Sequence, residues 1–510
     1  IDDGTAADAL ADVTAANATL TAGAGGIGQG GNGTVDVDAG TSTAADISSG
    51  SGNIALNLLS TPAPIGLLDA GTGNVSLAAS GAVTDANGAT NNVAAADLTA
   101  DPIAGGFGDG DAIETAVDTL TLQTTAAGAI AVTDADAITL TSVESNDGPV
   151  TVETTGAGDI TVHTVTSADA SADDAHDVSI TVADGDLLIG DGAGGAGQIT
   201  ADDTAVLSAT AGSILDNDGL NPHVEAEDLN ATAQTAIGDL TQFPASGNTW
   251  ATTGTPIDVT ITTLTRAETT AAGSSIYISE TDDVTITAGG LPVGGATSDA
   301  VVSAGGSIDA GAPGSVVLSA GDNLSLQTGA GGTLTLPDAG LDVGTGAGIL
   351  HLVGTADLID SGATPRILDL TAGDLYVSSG TSGGDTTLTT TVANLDAHLT
   401  AAANLTVNET DDITLRDVDT TDGNITVTAA AGSILVGDVD ADTTNDVVSL
   451  TASAAIDDAA TDTTTDITGF TIDLNAATGI GAGEELETSD ATTITADTTA
   501  GDIDIDHAAS

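Results

Sequence analysis

The stretch GNITVTAAAGSILV, residues 423–436, contains the pattern that decides the fold. A glycine begins each half, one small or polar residue follows it, and a short segment then alternates apolar and polar side chains. Alternation with period two places the apolar side chains of a β-strand on one face. The same pattern begins at Gly52, Gly73, Gly148, Gly158 and Gly501. These segments are therefore predicted to be short β-strands, each introduced by a glycine turn.

The spacing of these segments predicts how the strands are stacked. Gly423 and Gly432 begin strands 9 residues apart, whereas Gly52 and Gly73 are 21 residues apart. We expect two strands to form one coil of about 20 to 25 residues, with the aliphatic side chains of each coil packed on those of the next. At about 4.8 Å per coil the chain would form a rod roughly 100 Å long. The pattern favours an all-β parallel β-helix.

A longer repeat in the sequence spans several coils. Similar segments begin at Val93, Val224, Arg366 and Phe470, and each contains an Asp-Leu pair. Repetition of this length is typical of duplicated solenoid modules. The predicted organisation is N-terminal coils at 1–92, super-repeat 1 at 93–223, super-repeat 2 at 224–365 with an inserted loop at 238–256, super-repeat 3 at 366–469, and a partial super-repeat 4 at 470–510.

Composition argues against the competing folds. Gly, Thr, Asp and β-branched residues interrupt every stretch that could form a three-turn amphipathic helix. A string of immunoglobulin-like sandwiches usually has a buried aromatic anchor in each unit, but Trp250 is the single tryptophan of the 510 residues. The chain has no Cys, which excludes disulfides, Cys-ligated zinc and cysteine nucleophiles.

The charge excludes several kinds of partner. The chain has 75 Asp and Glu against three cations, Arg266, Arg366 and Arg416, and a formal net charge of −72. Three arginines are too few to hold nucleic acid or an anionic membrane. No apolar stretch approaches the ~18 residues of a membrane span, so direct membrane insertion is not expected. Because the sequence begins within repeat-like text, we expect it to be a processed product or a segment of a longer polypeptide.

The segments ISETDDVTI (278–286) and GSI (432–434) are similar to sequences of filamentous-haemagglutinin-like large secreted exoproteins. The resemblance covers most of residues 70–510. It implies a right-handed parallel β-helix, export, and a role in adhesion or extracellular structure. The N-terminal secretion domain of that family, with its Asn-Pro-Asn-Leu type signals, is not found in these residues.

Calcium is the one candidate cofactor, because hard cations prefer carboxylate and carbonyl oxygens and the turns are rich in both. The candidate ligands fall in three turns, two of which occupy equivalent positions in two super-repeats: Asp109 and Asp111; Glu280, Asp282 and Asp283; Glu409, Asp411 and Asp412. The alternative is that these are solvated acidic turns. The GGxGxD repeat of calcium-binding β-rolls is not matched, since Asp109 and Asp111 lie one position out of register.

The remaining polar and aromatic candidates have structural alternatives. Phe243 and Trp250, in the predicted loop, are candidate binding residues, with coverage of a coil edge as the alternative. The six His have no metal-ligand spacing and are expected to be isolated surface or turn residues. Arg266 and Arg416 are expected to form local salt bridges with the acidic turns nearby.

These observations predict an extracellular or cell-surface structural protein. A β-helical rod could serve as a fibre subunit or a stalk and could associate with copies of itself head to tail, because an uncapped coil exposes backbone hydrogen-bonding groups. Such acidity suits either a calcium-rich exterior or high salt. The first alternative is an adhesin segment that binds glycans or a surface partner. The second is a carbohydrate-active enzyme, which we do not expect, because pairs of carboxylates arise by chance among 75 acids.

Overall fold

The computed structural model describes residues 1, 10–28, 33–47, 52–168, 176–190, 192, 197–219, 223–244, 252–294, 297–345, 347–362, 367–380, 384–442, 445–460 and 462–508. These residues contain β-strands and turns and no helix. The chain divides into two compact units, the first formed by Ile1–Asp239 with Thr255–Ile261 and the second by Leu240–Gly254 with Thr262–Ser510.

The strands of the first half, in chain order, are β1 Val13–Ala22, β2 Val35–Ile47, β3 Ile54–Leu58, β4 Ala63–Asp69, β5 Val75–Ala79, β6 Val83–Asp85, β7 Val93–Ile103, β8 Ile113–Thr124, β9 Ile130–Asp134, β10 Ile138–Ser145, β11 Val150–Thr154, β12 Ile160–Val162, β13 Thr164–Ser167, β14 Val178–Val182, β15 Leu187–Ile189, β16 Gln198–Ala201, β17 Thr204–Ala209, β18 Ile214–Asp216, β19 Val224–Glu225, β20 Asp228–Ala233, β21 Ala236–Ile237, β22 Asp239–Gln242, β23 Thr253–Thr255 and β24 Ile257–Thr260.

Those of the second half are β25 Thr263–Thr269, β26 Ser275–Glu280, β27 Val284–Ile286, β28 Leu291–Pro292, β29 Asp299–Ala304, β30 Ile308–Asp309, β31 Val316–Val317, β32 Asn323–Gln327, β33 Thr333–Leu336, β34 Leu341–Asp342, β35 Ile349–Gly354, β36 Asp357–Asp360, β37 Ile367–Ser379, β38 Thr386–Leu399, β39 Leu405–Glu409, β40 Ile413–Thr420, β41 Ile425–Ala429, β42 Ile434–Val436, β43 Val439–Asp440, β44 Val447–Ala452, β45 Ala455–Asp458, β46 Ile467–Thr468, β47 Thr471–Ala476, β48 Gly479–Ile480, β49 Leu486–Ser489, β50 Thr493–Thr498 and β51 Ile505–Ala508.

Each unit is a parallel β-solenoid. In the first unit β11 pairs with β14 and β14 with β17, β12 pairs with β15 and β15 with β18, and β13 pairs with β16 and β16 with β19, all in parallel. The second unit repeats this arrangement from β41, β42 and β43 onward. A coil in these regions therefore contributes one strand to each of three parallel ladders.

Aliphatic side chains form continuous columns inside each unit. In the first unit one column joins Ile130, Val150, Val178, Ala205 and Leu229, which are partners in successive coils and are at most 1% exposed. Full burial of an aliphatic side chain is worth about 1.5–3 kcal/mol. The stacked columns are therefore the main source of stability of a core that contains few aromatic rings.

A second column joins the backbone of neighbouring coils through Asp and Asn side chains. In the second unit Oδ1 of Asp385 accepts a hydrogen bond from the N–H of Asn404 at 2.9 Å, and Oδ1 of Asn404 accepts one from Asn424 at 2.8 Å. Oδ1 of Asn424 in turn accepts one from the N–H of Val447 at 2.8 Å. Each side chain replaces a backbone carbonyl where the turn leaves an N–H without a strand partner.

The structure confirms the predicted all-β parallel β-helix and corrects the predicted number of strands in each coil. Coils of three strands replace the expected coils of two, because a short third strand such as β13 follows the second after a sharp bend at His163. Along the column from Ile130 to Leu229, partners in successive coils are separated in sequence by 20, 28, 27 and 24 residues, and we call these separations the coil offsets. The longer coils accommodate extra residues in their turns.

Candidate cation sites

Two of the predicted calcium turns have the sequence Glu-Thr-Asp-Asp, at residues 280–283 and 409–412, and we call them the ETDD turns. Each begins with a buried glutamate. Glu280 and Glu409 are the last residues of β26 and β39 and are 3% and 2% exposed. Oε1 of Glu409 accepts hydrogen bonds from the N–H groups of Thr410 and Asp411, at 2.6 and 3.2 Å, and Oε2 accepts one from Val392 at 3.1 Å. Burial raises the pKa of Glu409, and these hydrogen bonds oppose the rise. The glutamate thus ties its own turn to the preceding coil.

The aspartates of the same turns point the other way. Asp283 and Asp412 are exposed, and their Oδ1 atoms accept hydrogen bonds from the N–H groups of Ser307 at 2.6 Å and Ser433 at 2.7 Å in the next coil. Between the glutamate and this aspartate, Asp282 and Asp411 are also exposed. The sequence equivalence of the two turns is therefore an equivalence of backbone hydrogen bonding, and calcium binding there stays a prediction.

The third predicted turn holds Asp109 and Asp111, which are both exposed and lie between the buried Phe107 and β8. Burial raises the pKa of the neighbouring Glu114, and the charges of Asp85 and Asp111 add to this rise. Within the described residues, carboxylate and imidazole atoms that lie close enough to share a metal ion form three groups, and none of these groups contains one of the eight predicted ligands.

The first group is Asp216, Asp218 and His223, whose side chains are at most 2% exposed. Nε2 of His223 lies 3.1 Å from Asp216 and 3.3 Å from Asp218. The N–H of Asp258 donates to Nδ1 at 3.2 Å, so the other ring nitrogen, Nε2, carries a hydrogen that points at the two carboxylates. A metal ion held by the two carboxylates would need the lone pair of Nε2, and the hydrogen on Nε2 occupies that position. The group therefore serves as a hydrogen-bonded structural element.

The second group is His398, Asp417 and Asp419, in which Nδ1 of His398 is hydrogen-bonded to Asp419. Burial lowers the pKa of His398. The hydrogen bond and the charge of Asp419 raise this pKa by more than burial lowers it, so the net shift is upward. Both carboxylates of this group also line a groove of about 650 Å³. Four further aspartates line the same groove: Asp438, Asp440, Asp442 and Asp490. The hydrogen bond between His398 and Asp419 accounts for the contact in this group without a metal.

The third group is made only of carboxylates: Asp458, Asp466 and Glu487. Asp458 and Asp466 are 6% and 2% exposed. Burial raises the pKa of Asp466 to about 7, and the charges of Asp458 and Glu487 add to the rise. We name these three residues the carboxylate triad. Oxygen ligands without nitrogen or sulfur are those that hard cations such as calcium prefer.

The histidines differ from the expectation of isolated surface residues. His176, His223 and His351 are at most 2% exposed. Nε2 of His176 lies 2.8 Å from Asp147, which is 29 residues away and in the preceding coil, and Nδ1 of His351 lies 2.8 Å from Oγ of Ser325. Burial lowers the pKa of His351 to about 4. The spacing along the sequence missed these contacts because their partners lie one coil away.

The arginines form the expected local salt bridges, but with other partners than the ETDD turns. Arg266 pairs with Glu268 on its own strand, and Nη2 of Arg416 lies 3.0 Å from Asp374. Arg366 lies outside the described residues. Of the two predicted binding aromatics, Phe243 is 9% exposed and Trp250 lies outside the described residues. β22 and β23 form a small two-stranded sheet within the predicted loop.

Comparison with known proteins adds no assignment: no family model, no curated protein and no solved structure matches the chain. The resemblance to filamentous-haemagglutinin-like exoproteins therefore stays a prediction. Within the described residues there is no helix of the length and apolar character that crossing a bilayer requires.

Proposed function

We propose that this chain is an extracellular or cell-surface structural protein, acting as a fibre subunit or a surface stalk and not as an enzyme. The observation that carries the proposal is the repetition of one set of contacts through both units: an aliphatic column inside and a parallel backbone ladder around it. A solenoid built in this way supplies length and a repetitive surface from many weak, equivalent contacts.

The charge supports a setting rich in ions. Carboxylates that face each other on neighbouring parallel strands repel, as Asp396 and Asp417 do in the second unit, where they are register partners. Burial raises the pKa of Asp396 to about 6, with Arg416 lowering it and Asp417 raising it. Dissolved or bound cations would relieve such repulsion. Calcium outside the cell, or high salt, would provide them.

Self-association is the assembly that we propose. A parallel β-ladder can be extended by strands of another molecule, because an unpaired strand edge offers backbone N–H and C=O groups in the correct order. With a net charge of −72, two copies repel each other at low ionic strength. Head-to-tail association should therefore depend on cations that lie between the acidic surfaces.

Negative-stain electron microscopy of the purified chain tests the assembly. Samples in calcium, in magnesium and in chelator are compared at matched ionic strength, and again in high sodium chloride. We expect fibres in calcium that disappear in chelator, or fibres in high salt irrespective of chelator. Separate particles under every condition, supported by a monomer mass in sedimentation, would contradict the fibre subunit.

A further inference from the structure

An acidic residue occupies the same register position in successive coils of the second unit. Asp396 is the register partner of Asp417, and Glu487 is that of Asp506. Between these pairs, the pairings of β40 with β43, β43 with β46 and β46 with β49 continue the same register. We call this column the acid ladder; its members are Asp396, Asp417, Asp438, Asp466, Glu487 and Asp506.

The acid ladder places like charges opposite one another. Neighbouring parallel strands lie about 4.8 Å apart, and like charges that face each other across two strands destabilise the pair. In the corresponding third ladder of the first unit, Thr164 faces Gln198, so two uncharged side chains meet there. The backbone joins the coils along the acid ladder all the same, since the N–H of Val439 donates to the carbonyl of Asp466 at 2.8 Å.

The first member of the ladder is buried and has no partner. Asp396 is 7% exposed, and within the described residues its carboxylate accepts no hydrogen bond and forms no ion pair. The nearest cation, Arg416, pairs instead with Asp374. His398 is hydrogen-bonded to Asp419. The titratable and charged groups around Asp396 are Asp374, Tyr376, His398, Arg416 and Asp417. A buried carboxylate without a donor or a paired cation is stable when it carries a proton.

The other buried members show the same tendency. Burial raises the pKa of Asp396 to about 6 and that of Asp466 to about 7. Burial also raises the pKa of Asp438, and the charges of three aspartates add to this rise: Asp417, Asp440 and Asp419. The charges that add to the rise at Asp466 are those of Asp458 and Glu487. Because the folded chain binds these protons more tightly than the unfolded chain does, stability falls as the pH rises from about 4 to about 7.

We propose that the acid ladder is a pH-sensitive switch, in which protons held by its carboxylates keep the coils that carry it closed, and release of these protons loosens the contacts between coils. The switch needs no added ligand, because the repulsion that opens it is built into the register of the strands. It concerns the folding of one chain and does not rest on the proposed extracellular role.

Hydrogen exchange of the full chain, followed by mass spectrometry of its peptides, measures the opening of these coils. The exchange rate is divided by that of an unstructured peptide at the same pH, at constant ionic strength and in chelator, so that the ratio reports the opening equilibrium. The test variant is Asp396→Asn, which imitates the protonated side chain. The matched control is Asp497→Asn, because Asp497 is exposed on β50 and its register partner there is Asn475.

For peptides of β38 and β40, the ratio should rise at least tenfold from about pH 5 to about pH 8 in the wild type and the control. Asp396→Asn should make this rise about tenfold smaller, because one pKa unit corresponds to a tenfold change in the equilibrium. Peptides of the first unit should have the same ratios in the wild type and all variants. Asp438→Asn, at a less buried position of the ladder, should also reduce the rise and decides the test if Asp396→Asn does not fold.

Infrared spectroscopy detects the proton itself, since a protonated carboxyl group absorbs at a higher frequency than a carboxylate. At about pH 6, where ordinary aspartates are ionised, the wild type and the control should show more protonated carboxyl than either ladder variant. A ratio of exchange rates that does not change with pH would overturn the proposal. The same flattening in the control as in the ladder variants, or equal infrared absorption by all four chains, would also overturn it.

Discussion

Two acidic regions of the second unit use buried carboxylates in opposite ways. In the ETDD turn, both oxygens of Glu409 face backbone N–H groups, which come from Thr410, Asp411 and Val392. In the carboxylate triad, one carboxylate oxygen from each of Asp458, Asp466 and Glu487 lies within 4.8 Å of the other two. The two regions are alike in composition and burial and differ in the donors that surround them.

The difference teaches which acidic segments are structural. A carboxylate with a complete set of N–H donors is already stabilised, so a cation would have to displace existing hydrogen bonds. A carboxylate that meets other carboxylates is stabilised only when a proton or cation joins it. The surrounding donors, and not the density of Asp and Glu along the sequence, distinguish a turn from a candidate ion site.

The largest expected effect comes from removing the glutamate of the ETDD turn. Glu409→Ala leaves the buried N–H of Val392 without its acceptor and removes an acceptor from the N–H groups of Thr410 and Asp411, and each hydrogen bond to a carboxylate is worth about 1.5–3 kcal/mol. We expect the free energy of unfolding to fall by about 4 kcal/mol, measured by urea denaturation followed by circular dichroism. Asp411→Ala, in the exposed neighbour, should change it by less than about 0.5 kcal/mol. Equal effects of the two changes would show that the turn does not depend on Glu409.

Asp134 in the first unit, like Glu409, is a buried carboxylate that accepts hydrogen bonds, and it predicts a pH dependence of stability. Asp134 is fully buried and accepts hydrogen bonds from Oγ1 of Thr115 at 2.6 Å and the N–H of Val117 at 3.2 Å. Burial raises its pKa to about 6, and the charge of Asp136 contributes to the rise. Because the folded state then binds this proton more tightly than the unfolded state, the free energy of unfolding falls as the pH rises from about 4 to about 6.

Asp134→Asn should remove this dependence. The difference in unfolding free energy between variant and wild type should shift in favour of the variant by up to about 3 kcal/mol between pH 4 and pH 7. Urea denaturation at a series of pH values measures it. Asp118→Asn, at an exposed position of β8, is the control and should keep the wild-type pH profile. A constant difference between the Asp134 variant and wild type would show that this carboxyl titrates normally.

A smaller effect should reveal the repulsion within the carboxylate triad. In chelator at about pH 8, above the pKa of about 7 of Asp466, Glu487→Gln removes one of three facing negative charges, so we expect the free energy of unfolding to rise by about 2 kcal/mol. A loss of stability in chelator would mean that Glu487 acts as a hydrogen-bonding residue like Glu409.

The fold could be predicted because its signal is local. The alternation within GNITV and GSILV specifies which face of each strand is buried, and in both strands the apolar side chains that begin at Ile425 and Ile434 lie on the buried face. The third strand of each coil was not predicted, because segments as short as Thr164–Ser167 offer only two alternations. The equivalence of Glu280 and Glu409 was also visible, since both end a strand of the same pattern.

The carboxylate triad could not be predicted, because it depends on which residues of different coils become neighbours. Coil offsets vary from 20 to 28 residues along one column, so a fixed period misplaces partners by several positions. Asp466 and Glu487 meet because their coil has 21 residues. With 75 acids in the chain, sequence spacing alone offers many equivalent pairs. The register between successive coils of the solenoid determines which of these acidic residues become neighbours.

The smallest predicted effect tests the outward side of the ETDD turn. Asp412→Ala removes the acceptor of the Ser433 N–H, whose hydrogen bond at 2.7 Å joins two coils. A single backbone hydrogen bond of this kind is worth about 1 kcal/mol, so the Ser433 amide should exchange with solvent roughly fivefold faster. Asp412→Asn keeps the acceptor and should keep the wild-type rate. If instead both variants exchange faster and calcium slows only the wild type, the charge of Asp412 and not its hydrogen bond is what matters, and the turn would be a cation site.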